Sequence, residues 1–224
     1  MKDEDNKTEA SLSKIITLAF GLPWFEIIGE LWKIGRKLMR GLSNEGVYEV
    51  LEYECRLELL DKKGENALIQ KREKVRYLQD NIIAYQDQAW GDGKILLDYR
   101  CSPGVPVDQY QLGPKQHVLI SLRDVRNKGD MDEFNIEWKV QNSFLKKTES
   151  WGTSINHLIR RVNVQIVFPK NRPPLKVSIF ERNLQRSHTL SKDALRKLPD
   201  GRWIITWENT NPRLYENYML SWEW

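Results

Sequence analysis

Val47-Tyr-Glu-Val-Leu-Glu-Tyr-Glu-Cys-Arg-Leu-Glu-Leu59 is the stretch on which the fold turns. Its odd positions Val47, Leu51, Tyr53, Cys55, Leu57 and Leu59 are apolar, with Glu49 the exception, while Glu52, Glu54, Arg56 and Glu58 fall on the even ones. Successive side chains of a strand point to opposite faces, so a period of two predicts a strand with one dry face and one wet one. That one-sided burial is the habit of antiparallel sheets.

Downstream the alternation recurs. Phe134, Ile136, Trp138 and Val140 face one way against Asn135, Glu137 and Lys139, and Val162, Val164, Ile166 and Phe168 repeat the pattern. Trp203, Ile205 and Trp207, then Tyr218, Leu220, Trp222 and Trp224, close the series. Turn residues punctuate it at Asp61–Gly64, Gly91–Gly93, Ser102–Gly104, Leu112–Pro114, Asn127–Asp130, Pro169–Pro174, Pro199–Gly201 and Asn209–Pro212. Short strands joined by Gly, Pro and Asp turns, without helical stretches long enough for crossovers, predict an all-β antiparallel sandwich, Ig-like or jelly-roll-like, or else a partly open barrel. Only Ser191–Leu198 reads as a short helix, with Leu190, Ala194, Leu195 and Leu198 on one side.

Upstream of Gly46 the period is 3.6 instead. Trp24, Ile28, Leu31, Gly35, Leu38 and Leu42 form a seam spaced by fours and threes, with charged residues on the opposite side of the wheel. Pro23 suits the first turn of such a helix, and acids precede bases along it, matching the macrodipole. The expected organisation is a disordered tail over 1–10, an amphipathic helical arm over 11–44 and a single β-sandwich domain over 45–224.

Composition bounds the function. The chain has 224 residues, 40% of them hydrophobic, with 35 basic against 31 acidic side chains, so a packed core is expected and a dedicated polyanion binder is not. Two cysteines make neither a disulfide framework nor a four-cysteine zinc site. The mixed, acid-leaning start Met1–Lys7 lacks the positive region of a secretory signal, which predicts a cytoplasmic protein. No GxGxxG or GxxxxGK[ST] occurs, so no cofactor is expected. Three histidines, none near a GxSxG elbow, give no nucleophile–base pairing, and no metal site is expected.

Four features carry the candidate surfaces. On the arm, Trp24, Phe25, Ile28, Leu31, Trp32 and Leu38 would dock a protein partner, a second copy of the chain or a peripheral membrane surface. Spanning the membrane is disfavoured, because Glu26 and Glu30 would each cost up to about 2.5–3.5 kcal/mol near the bilayer centre. In Lys71-Arg-Glu-Lys-Val-Arg76 a strand would align Arg72, Lys74 and Arg76 on one face, and Lys71 joins them as a polyanion contact; a charged edge strand that resists pairing explains the same residues. Asp87 and Asp92 bracket Trp90, and Trp151 flanks a second turn, which makes these four a candidate ligand platform for a sugar, a base or a metal-assisted hydrolysis. The competing reading of Asp92-Gly93 is a hairpin turn. Most of the other tryptophans sit on the apolar phase of strands, as core residues do. Together these features describe a non-enzymatic interaction module, with ligand-binding or hydrolytic chemistry at Asp80–Asp108 and nucleic-acid binding at Lys71–Arg76 as alternatives.

Overall fold

The computed structural model describes residues 46–224, so the expectations for the tail, the arm and its docking positions Trp24 to Leu38 lie outside the described residues. From the N-terminal side the strands are β1 Tyr48–Leu59, β2 Asn66–Tyr77, β3 Ile82–Ala89, β4 Lys94–Ser102, β5 Val105–Leu112, β6 Lys115–Arg126 and β7 Met131–Gln141. They continue with β8 Thr148–Ser154, β9 Arg161–Phe168, β10 Lys176–Glu181, β11 Arg186–Thr189, β12 Leu195–Lys197, β13 Trp203–Thr210 and β14 Asn217–Glu223. The described body is all-β, as the alternation predicts, and its strands form three open sheets, not a closed barrel. A seven-stranded sheet runs β12-β13-β9-β1-β2-β7-β4, a four-stranded sheet β11-β10-β14-β8 and a three-stranded sheet β3-β6-β5.

Both small sheets contribute to one core with the large sheet. Tyr85 of β3 stacks on Phe134 of β7, their centroids 4.0 Å apart, and Tyr48 of β1 lies 5.2 Å from Tyr85. At the other end Trp222 of β14 meets Phe168 of β9 edge to face at 5.6 Å, and Trp207 of β13 packs at 4.9 Å on Tyr218. Such aromatic pairs are worth about 0.5–1.5 kcal/mol each beyond their burial.

The opening strand carries a β-bulge that accounts for Glu49. Val50 pairs with Val75 but Glu52 pairs with Lys74, leaving Leu51 as the extra residue. A bulge shifts the pleat by one residue, so Tyr48 and Val50 face inward before it and Cys55, Leu57 and Leu59 after it. Glu49 thereby points outward and binds Arg76. The strand is also paired on its other side with β9 in parallel, Tyr53 opposite Val162, in a body whose other strand pairs are antiparallel.

Three local expectations are corrected. Ser191–Leu198 is no helix: a 3-10 turn at Lys192–Ala194 leads into β12, which pairs with β13 through the Pro199–Gly201 turn, because the hairpin offers Leu195–Lys197 a ladder that an eight-residue helix cannot match. Asp92-Gly93 is no hairpin, since β3 and β4 on either side of it belong to different sheets. Lys71–Arg76 is no edge either, because β2 lies between β1 and β7 and both its backbone ladders are filled.

Candidate functional site

Along β2 the inward positions are Ala67, Ile69, Lys71, Glu73, Val75 and Tyr77, so two charged residues stand in a dry row. Burying a charge is costly unless it is paired. Lys71, 7% exposed, gives its ammonium to Asp87 of β3 and lies 3.2 Å from the Glu73 carboxylate. Asp87, 1% exposed, also accepts the Tyr99 hydroxyl at 2.9 Å and the Gln88 backbone N–H at 2.8 Å, while Glu73 accepts the hydroxyl of Tyr85. Burial alone would pull the Lys71 ammonium down, but the flanking Asp87 and Glu73 overcome it and hold its pKa above the ordinary lysine range. Burial, followed by the Asp87 charge, pushes the Tyr99 phenol up.

Above this buried cluster all three sheets leave a cavity of about 260 Å³, near the lower end of the roughly 300–1,000 Å³ usual for small-molecule pockets. Cys55 and Lys71 form part of its lining from the large sheet, with Trp138 beside them on β7. Across the gap β8 presents Trp151 and, two residues earlier and on the same phase, Glu149. Trp90 and Asp92 come from the β3–β4 crossing and Lys146 from the β7–β8 connection. Asp92 and Lys146 pair at 3.1 Å with both side chains exposed.

Two polar groups of this lining are incompletely satisfied, one without a hydrogen-bond acceptor and one without an ion-pair partner among the described residues. Trp138 is 5% exposed, and its indole N–H meets no acceptor among the described residues. Glu149 is 7% exposed and accepts only the Lys146 backbone N–H, at 2.6 Å, with no ion pair among the described residues. Burial accordingly raises its carboxyl above the usual carboxylate range, against the opposing pull of Lys146.

The nucleophile candidates are tied down. Burial pushes the Cys55 thiol up to about 12, and burial together with Asp87 raises that of Cys101; both cysteines are free. His117 stacks on Tyr110 and lies 2.6 Å through Nδ1 from the Gln86 amide nitrogen, while burial and then Lys115 lower its pKa. His157 contacts the Tyr48 hydroxyl at 3.5 Å, and His188 is exposed on β11. Among the described residues no group of three His, Cys, Asp or Glu side chains is placed to hold a metal ion.

The sequence-derived platform is therefore brought together in part: Trp90, Asp92 and Trp151 share the cavity, and Asp87 stands behind it as the partner of Lys71. Trp138 and Glu149 were missed as site residues, the first because its phase reads as core. The signal for the second was its two-residue spacing from Trp151. Of the basic row, Arg72 and Arg76 do share the outer face of the large sheet with Lys74, but Arg72 is within 3.0–3.2 Å of Glu52, Glu54 and Glu133, and Arg76 is paired with Glu49. Lys71 points the opposite way.

No known protein family matches the sequence, and no curated protein matches it. Among solved structures the chain is similar to an M1 zinc metallopeptidase from Deinococcus radiodurans, at 8% identity and a TM-score of 0.47, over 77% of this chain and 42% of that one. A mutant of that enzyme bound to a Tyr-Ser-Ala substrate gives 8% identity and a TM-score of 0.49 over the same shares. The chain spans less than half the length of the proteins it resembles.

Proposed function

We propose that this chain is a non-enzymatic β-sandwich binding module: the body holds a small organic ligand in the cavity between its three sheets, and residues 11–44 dock a protein partner, a second copy or a membrane surface. The observation that carries the ligand site is the gathering of Trp90, Trp138 and Trp151 with the buried carboxylate of Glu149 in the lining of one cavity. The raised thiols of Cys55 and Cys101 speak against covalent catalysis, because the thiolate is the nucleophile. Two free cysteines favour a reducing, cytoplasmic location. The docking role of the arm rests on its sequence seam alone.

Screening a set of neutral, cationic and anionic fragments against the full chain, by melting temperature and tryptophan emission, tests the ligand site. Saturable binding that is lost in Trp90→Ala and in Trp151→Ala is the expected outcome. A set in which no fragment moves either signal would overturn it.

A further inference from the structure

We infer that the ligand of this cavity is a compact organic cation carrying an ammonium group, a step that rests on the cavity being the binding site. Most charges around the cavity are already satisfied. Lys71 is bracketed by Asp87 and Glu73, and Lys146 is paired with Asp92 at the exposed side. What remains is Glu149, a carboxylate nine-tenths buried with a single backbone hydrogen bond and no cation within ion-pair distance among the described residues. An incoming ammonium supplies the missing positive charge, whereas an anion would add a second uncompensated negative one.

The walls point the same way. Indole faces attract cations more strongly than other rings, and Trp90, Trp138 and Trp151 all contribute to the lining. Trp90 already carries an ammonium on one side, the Lys115 Nζ lying 5.4 Å from its ring centroid. The cavity is small, so the ligand is compact.

Two matched pairs of probes separate charge from shape: choline with 3,3-dimethylbutan-1-ol, and benzylamine with benzyl alcohol, each titrated calorimetrically into the full chain. At least one cation should bind about tenfold more tightly than its neutral partner, the scale of a desolvated cation–π contact. Glu149→Gln, which keeps the acceptor for the Lys146 N–H, should erase most of that preference, and Trp151→Phe should weaken the cation while leaving the melting temperature near wild type. If the neutral partners bind as well as the cations, or only neutral or anionic fragments bind, the cation assignment falls and the cavity stands as a site. If no probe and no fragment binds, both fall.

Discussion

Lys71 is held by two carboxylates, and removing it strands both in the core. Breaking a buried pair by deleting one partner costs about 3–5 kcal/mol, a large part of the roughly 5–15 kcal/mol that stabilises a domain. Lys71→Met is thus expected to lower the urea midpoint sharply, and adding Asp87→Asn to it should recover part of the loss; strictly additive losses would show that the two side chains are not coupled. Asp92→Ala, at an exposed pair, should change stability by no more than about 0.5 kcal/mol. Glu149 has a pH signature of opposite sense to an ion-paired acid. Because burial raises its pKa in the folded chain, the unfolded chain ionises first as pH rises, and stability is lost between the ordinary glutamate pKa and the raised one. Glu149→Gln should therefore melt above wild type at pH 7, with the two curves converging below about pH 4. Coincident melting at both pH values would contradict the raised pKa. At this scale the sequence was partly legible: the period of two puts Arg72, Lys74 and Arg76 on one face of β2, but Lys71, expected as a further polyanion contact, turns inward to Asp87, and that partnership depends on a sheet-to-sheet contact that no local spacing encodes.

Between elements, the closest approach near the site is at Gly152, in the middle of β8. A Cβ there would run into the backbone carbonyl of Tyr218 on β14, so the two strands can pair at this spacing only with glycine. Gly152→Ala should cost about 1–3 kcal/mol in thermal or urea unfolding and loosen the cavity wall that carries Trp151. An unchanged midpoint would mean that β8 shifts freely. Strand existence was readable from alternation, since it needs only neighbours along the chain. The bulge at Leu51 was not, because a single extra residue leaves the composition of the strand unchanged and shows only as Glu49 out of phase. Likewise Trp90–Gly93 has the residues of a hairpin and yet crosses between sheets, as turn chemistry fixes the local backbone and not the destination of the next strand. The edge β4 is bulged twice against β7 and holds Leu96 and Asp98 at positive φ, which breaks the flat edge that another chain would pair with.

For the whole molecule, the change of period near Gly46 predicts a boundary, and the three sheets lie within the described residues 46–224. Deleting residues 1–44 is expected to leave the melting temperature of the β body within a few degrees of the full chain while abolishing co-purification of a partner, self-association or vesicle binding, as read by size exclusion and co-sedimentation. Retention of all associations by the shortened chain would remove the docking role from the arm. That three sheets and not two share the core was not legible, because each inward-facing strand reads the same whichever sheet it joins.

The parallel pairing of β1 with β9 has a consequence for how the protein is made. β1 sits inside the seven-stranded sheet, yet the residues that cover its second edge lie more than a hundred positions further on, Val162 opposite Tyr53. At a synthesis rate of about 5–20 residues per second, that edge waits roughly 5–20 s on the ribosome before its partner exists. Throughout that interval the Tyr53–Glu58 backbone is an open template for any extended chain nearby, and the alternating glutamates and arginine along it, Glu54, Arg56 and Glu58, are what the nascent strand has to keep others away.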